Sequence, residues 1–172
     1  IGDAGVFVDP QDPAQGLIFS GRVVEDFKLT TGTFVLVGAL RTDAIAAASP
    51  VVQDALVAGQ DRPFIGLLAW PNLDSCRRLI EDMNASMDTV VNHPKVRAHL
   101  RDGLLAHNQA CNNTSSRRIV RAMMMAEPPS IDGNELTDKG YINQRAGLER
   151  RAALVEQLYA DQPGPDVIML DR

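Results

Sequence analysis

Two apolar runs, Val51 to Ala58 and Phe64 to Trp70, constrain this chain more than any other feature. Each has the length and β-branched character of a strand, and Gly59-Gln60-Asp61-Arg62-Pro63 lies between them. A Gly/Asp/Pro cluster between two apolar runs predicts a hairpin-like turn. Helical patterns surround this pair. Gly38 to Ala48 offers Leu40, Ile45 and Ala48 for an apolar face, and Ser49-Pro50 stops it. Pro71-Asn72 starts a helix through about Leu79, with Asp74 near its positive end. Asn84 to His107 has helical spacing that His93-Pro94 breaks in two.

Arg118 to Ala126 reads as a strand closed by Pro128-Pro129, with Met123-Met124-Met125 as core. From Ile142 to Ala160 the apolar positions predict one amphipathic helix, followed by a loose tail from Pro163-Gly164-Pro165 onward. Upstream, Val6–Val8 and Leu17–Phe19 flank Asp9-Pro10-Gln11-Asp12-Pro13 and predict a hairpin over residues 1–20. Phe34–Val37 is strand-like. The order predicts an α/β (α+β) domain with a small mixed sheet flanked by helices and preceded by a β-hairpin.

Composition narrows the function classes. At 172 residues and 45% hydrophobic, one domain with a real core is expected. No apolar run approaches the ~20 residues needed to cross a bilayer, so no membrane partner is expected. A net charge of −5 gives no general attraction to nucleic acid. Cys76 and Cys111 cannot build a disulfide framework and suit a reducing, cytoplasmic setting. The start at Ile1, with no charged-then-apolar leader, suggests a piece of something longer. His107 and Cys111 stand four apart, but His93 and His99 are wrongly spaced to complete a set, so no metal site is expected. Arg117, Arg118 and Arg121 read as a solvated strand end.

Of 17 basic residues only Lys28, Lys95 and Lys139 are lysine. Lys28 lies in Gly21-Arg22…Glu25-Asp26-Phe27-Lys28…Thr31-Gly32, which spacing alone reads as a turn with solvated charges. Lys139 lies in Asp138-Lys139-Gly140-Tyr141, a glycine-containing loop before an amphipathic helix, and is equally an ordinary solvated lysine. A lysine suits a place where a compact charge must reach an anion on a flexible stem.

Taken together, GRVVEDFKLTTGTFVLVGALR (21–41) and PPSIDGNELTDKGYINQR (128–145) resemble the C-terminal part of AMP-forming acid–CoA ligases, the adenylating superfamily, and within it feruloyl-CoA synthase. In that family a C-terminal lid swings on a hinge against a large N-terminal adenylation domain that binds ATP, Mg²⁺ and the acid. One lid position completes acyl-adenylate formation, and the rotated one completes thioester formation with CoA. The resemblance implies that residues 1–22 end the large domain and that 23–172 form the lid, hinged near 24–26. It implies that Asp3, ending Ile1-Gly2-Asp3, binds ribose hydroxyls and that Arg22 also holds the nucleotide. Glu25-Asp26 falls at the hinge pair, one residue longer than the common form. Lys28 to Gly32 matches the loop that enters the active site for thioester formation. Lys139 is implied as the adenylation lysine, in the version Lys-Gly-x-Val/Ile-x-x-Arg rather than Ser-Gly-Lys-Ile. No Gly-rich phosphate loop is present, so these residues alone are expected to be inactive. Two alternatives stay open: a lid that hands the acyl group to a carrier protein, and a non-catalytic binding or assembly domain.

Overall fold

The chain begins with an antiparallel hairpin, β1 (Asp3–Phe7) and β2 (Leu17–Arg22), bulged at Ala4/Gly5. The computed structural model describes residues 2–170, with backbone alone at Phe19 and Ser20. A single 3₁₀ turn, Val23–Glu25, leads to a second small antiparallel pair, β3 (Phe27–Lys28) and β4 (Phe34–Val35). Helix α1 (Val37–Ala47) follows. The strands expected from the two long apolar runs come next, β5 (Val52–Ala58) and β6 (Ile65–Pro71), paired antiparallel. Three helices, α2 (Leu73–Ile80), α3 (Met87–Asn92) and α4 (Pro94–Ala110), then carry the chain back to β7 (Ile119–Met124). β7 lies parallel to β6, a pairing that requires such a crossover. After α5 (Gln144–Arg150) and α6 (Ala152–Tyr159), β8 (Ile168–Met169) pairs antiparallel with β7. The sheet order is β5-β6-β7-β8, and its mixed character matches the sequence reading.

Alternate strand residues feed two cores. Ala55, Val57, Leu67 and Ala122 face Leu40 and Ala44 of α1 and Leu100 and Leu104 of α4. Leu56, Leu68, Trp70, Met123 and Met125 face Ile142 and Leu158 on the other side. The period of two in strands sends neighbours to opposite faces, so the Met123–Met125 run serves both cores. Helix ends are capped by short polar side chains: Asn72 accepts from the Ser75 N–H at 3.0 Å and Ser86 from the Thr89 N–H at 3.1 Å. The break at His93-Pro94 falls as expected, with Pro94 opening α4.

Three expectations change. The tail is not loose: Val167, Ile168 and Leu170 are buried, and the Leu170 N–H donates to the Val120 carbonyl at 2.9 Å. This pairing is with a strand about 50 residues upstream, which no local pattern reveals. The stretch 142–160 is two helices, bent at Arg151, whose backbone (φ −100°, ψ 25°) ends one and starts the next. The strand-like run 34–37 yields only β4, because Val37 already begins α1.

Helix α4 crosses α1 at Gly103, where a Cβ would overlap the Ala47 carbonyl. In an exposed helix Gly→Ala gains about 1 kcal/mol. At this crossing Gly103→Ala is expected to destabilise instead, by about 1–3 kcal/mol, measured by urea unfolding.

Candidate functional site

The β1–β2 register sets Asp3 directly across from Arg22, so two residues separated by a whole hairpin stand side by side. Ile1, the first residue of the Ile1-Gly2-Asp3 match, lies outside the described residues. Asp3 and Arg22 are exposed on one wall of a cleft of about 550 Å³. Glu25, then Arg41 and Thr42 of α1, and finally Tyr141 and Ile142 complete it. The hairpin is held there because Gly21 packs against the backbone of Gly38, at a spot with no room for a Cβ.

Lys139 sits at the tip of a tight turn beside this cleft. The Gly140 N–H donates to the Thr137 carbonyl and the Thr137 N–H to the Tyr141 carbonyl, both at 2.8 Å, and a bridge joins Leu136 to Ile142. Gly140 has φ +77°, a left-handed conformation that favours glycine, so the order Lys139-Gly140 is what closes the turn. The lysine is exposed.

The base of the turn is anchored by a buried ion pair. Glu135 has no exposed surface and Arg151 is 4% exposed; Arg151 Nε donates to Glu135 Oε1 at 2.7 Å and Nη2 to Oε2 at 3.0 Å. Oε2 also accepts from the Ser130 N–H at 2.8 Å, and the Glu135 carbonyl accepts from the Asn143 N–H at 2.8 Å. Arg151 adds a bond to the Pro128 carbonyl and lies over the Trp70 ring, 5.1 Å from its centroid. At the start of α5 the Gln144 amide clasps β5, accepting from the Val57 N–H at 3.2 Å and donating to its carbonyl at 2.5 Å. Sequence reading singled out none of Glu135, Gln144 and Arg151. The side-chain partner of Glu135 lies 16 positions away and the backbone partner of Gln144 87 positions away, beyond the reach of any local pattern.

Lys28 and Gly32 occupy a different place. The Gly32 N–H donates to the Leu29 carbonyl and the Leu29 N–H to the Thr33 carbonyl, each at 2.9 Å, closing the β3–β4 turn with Gly32 at φ +81°. This turn rests on the β5–β6 connection: the Asp61 N–H donates to the Lys28 carbonyl at 3.1 Å and the Thr30 N–H to the Arg62 carbonyl at 3.0 Å. Gly140, by contrast, shares a cleft with Gln53, Asp54, Trp70 and Pro71, at the far end of the same hairpin. The two lysine turns are thus at opposite ends of β5, a strand roughly 20 Å long. Asp3, Arg22, Glu25 and Tyr141 of the Lys139 turn line one cleft, and Lys28 and Gly32 do not line it.

Glu25 and Asp26 differ in their bonding. The Asp26 carboxylate accepts from the Val37 N–H at 2.9 Å and caps α1 from eleven residues upstream. Glu25 is half-buried, and burial raises its pKa above the usual carboxylate value, against the opposing charges of Arg41 and Arg22. Arg41 holds Nε 4.0 Å from Asp54, while its Nη1 is buried with no hydrogen-bond partner. His107 is tied to the Arg117 carbonyl at 3.0 Å, and Cys111 Sγ donates to the Asn108 carbonyl, so that pair is engaged structurally. Among the described residues no group of three His, Cys, Asp or Glu is placed to hold a metal. Arg117 pairs with Asp43, and Arg121 caps α6 through the Leu158 and Ala160 carbonyls.

Two measurements test this description. Glu135→Gln removes the two-point carboxylate partner of buried Arg151, leaving Glu127 at 3.8 Å as its counter-ion, and is expected to cost about 3 kcal/mol in chemical unfolding. A carboxyl raised on folding favours the folded state while protonated and loses that contribution as pH rises through its folded pKa. Glu25→Gln is therefore expected to raise Tm at about pH 7.5, with the gain fading toward about pH 4.

Comparisons with known proteins bear on the fold. The model of the AMP-binding enzyme C-terminal domain matches residues 37–163. The fold recurs in the A-PCP didomain of carboxylic acid reductase from Segniliparus rugosus in complex with AMP. That likeness has TM-score 0.67 and 21% identity over 92% of this chain and 20% of that one. The adenylation domain of the carboxylate reductase of Mycobacterium chelonae gives TM-score 0.67 and 21% identity, over 93% and 23%. Coronafacic acid ligase from Pectobacterium brasiliense gives TM-score 0.50 and 17% identity, over 98% and 25%. No curated protein matches. The chain spans 20–25% of the length of these three structures, and no helix among its described residues is long and apolar enough to cross a membrane. With the family model covering most of its length, the chain belongs to the AMP-binding enzyme C-terminal domain family.

Proposed function

We propose that this chain is the hinged lid of a cytoplasmic, ATP-dependent adenylating enzyme that activates a carboxylic acid as its acyl-adenylate and passes the acyl group to the thiol of CoA. The acid is of the aromatic, feruloyl kind to which segments 21–41 and 128–145 point. The observation that supports this reading best is the placement of the two lysine turns at opposite ends of β5. One nucleotide site cannot receive both at once, whereas a rotating domain presents them in turn.

In the first step the Lys139 turn faces the cleft where Asp3 accepts from the ribose hydroxyls and Arg22 holds the phosphate side. Carboxylate attack on the α-phosphate brings two anions together and builds charge on the phosphoryl oxygens. The Lys139 ammonium, on a turn held rigid by Gly140 and the Glu135–Arg151 pair, stabilises that charge. Mg²⁺, carried on the ATP phosphates rather than by this chain, would neutralise part of the same charge. Lys139 must then leave before the thiol arrives, and the turn bearing Lys28 and Gly32 takes its place. Residues 1–22 stay with the large adenylation domain and 23–172 rotate about the turn at 24–26. Asp26 is bonded to α1, so it moves with the lid and Glu25 marks the pivot.

A carrier-protein thiol in place of CoA is the second reading, favoured by the likeness to an A-PCP didomain. Product analysis with CoA present or absent separates the two.

In the full-length protein, Lys139→Ala is expected to lower ATP–pyrophosphate exchange by at least about 10²-fold. Lys28→Ala is expected to spare exchange and slow thioester formation. Unchanged exchange in Lys139→Ala would sink the catalytic reading and leave a binding or assembly domain. Exchange activity from these 172 residues alone would contradict the assignment as a lid.

A further inference from the structure

The cleft beside the Lys139 turn has a feature that the proposed steps do not use. Tyr141 lines it together with Asp3 and Arg22 and is 64% exposed. Among the described residues its side chain has no ring partner and no hydrogen bond, whereas Tyr159, the other tyrosine, stacks on Phe64 and bonds the Phe64 carbonyl. The Tyr141 backbone is nonetheless fixed on both sides. Its N–H donates to Thr137 Oγ1 at 3.2 Å and its carbonyl accepts from the Thr137 N–H. An unpartnered aromatic ring on a rigid turn offers contact area at little cost in conformational entropy.

The cleft's composition suits one ligand chemistry. Asp3 supplies a carboxylate for neighbouring hydroxyls, Arg22 and Arg41 supply guanidiniums for a phosphate, and Val6, Ile18 and Ile142 supply apolar wall. Its volume of about 550 Å³ lies within the range of small-molecule sites. Arg41 lines the same space, and its Nη1 is buried without an acceptor.

We propose that Tyr141 is a nucleotide-binding residue, whose ring packs against the nucleoside part of the nucleotide that Asp3 and Arg22 hold when the lid is closed for adenylation. This rests on the function proposed above. Lys139 and Tyr141 share one turn, so a single rotation withdraws both the charge on the reacting oxygens and the packing on the nucleoside.

ATP–pyrophosphate exchange by the full-length protein tests it, comparing Tyr141→Ala, Tyr141→Phe and Lys139→Ala with the parent. Tyr141→Ala is expected to raise the KM for ATP about tenfold with kcat nearly unchanged, the scale of one lost aromatic stack on a base. The KM for the acid is expected to stay constant, and Tyr141→Phe to behave like the parent, since the ring and not the hydroxyl makes the contact. An unchanged KM for ATP in Tyr141→Ala overturns the proposal, as does an equal rise in both KM values or a loss in Tyr141→Phe as large as in Tyr141→Ala. If Lys139→Ala loses exchange while Tyr141→Ala leaves the KM for ATP unchanged, only the role of Tyr141 falls. If Lys139→Ala leaves exchange intact, the catalytic reading falls instead.

Discussion

The stretch between β7 and α5 depends on one buried contact, the two-point ion pair of Glu135 with Arg151. From Met125 to Asn143 the chain has almost no regular structure, and connections that long are uncommon in compact domains. A carboxylate taken fully out of water costs several kcal/mol unless its oxygens are satisfied. Here both oxygens accept from Arg151, and Oε2 also takes the Ser130 N–H. The charge thus organises the loop around itself: Ser130 on one side, Asn143 on the other, and Pro128 and Trp70 around the guanidinium. The Lys139 turn projects from this knot into solvent with its own backbone bonds closed. The Tyr141 backbone helps close that turn through Thr137, while its ring makes no hydrogen bond among the described residues.

Two amide side chains extend the same logic to the sheet. Gln144 bonds both the N–H and the carbonyl of Val57 on β5, and Asn108 does the same to Ile119 at the start of β7. β5 is an edge strand, whose free backbone groups would otherwise invite pairing with another chain. The clasp closes part of that edge and fixes α5, and with it the Lys139 turn, to β5. The Lys28 turn is bonded to the β5–β6 connection, next to the Val57 end of β5 and away from the Gln53–Asp54 end beside which Gly140 lies. One stiff hairpin therefore sets the separation of the two turns, and their positions do not depend on each other.

How far the sequence was readable follows from the range of each interaction. β5, β6, β7 and the helices were legible because alternation, helical spacing and proline breaks are local signals. Asn72 and the His93-Pro94 break acted as expected for the same reason. β8 was hidden because its pairing with β7 spans about 50 residues. The bend at Arg151 was hidden because apolar spacing runs straight through it, and only the distant Glu135 explains why that arginine turns inward. Lys28 and Lys139 were found by resemblance, not by spacing. That they stand at opposite ends of one strand is a fact of packing that no motif contains.

The unequal bonding of Glu25 and Asp26 bears on how such a lid turns. Asp26 supplies the carboxylate that α1 lacks in its own N-cap, Leu36. Losing a cap costs about 1 kcal/mol, so rotation about Asp26 itself would oppose helix formation. Glu25 carries no such duty. Its burial disfavours its charge, while Arg22 on the hairpin side and Arg41 on the helix side pull toward ionisation. Its neighbours thus belong to both parts that the proposed rotation separates, and moving either arginine away changes the balance. A turn on the β2 side of Asp26 leaves α1 capped and alters only the surroundings of Glu25. The proposed pivot would then fall in a single 3₁₀ turn, Val23–Glu25, with no fully buried side chain of its own.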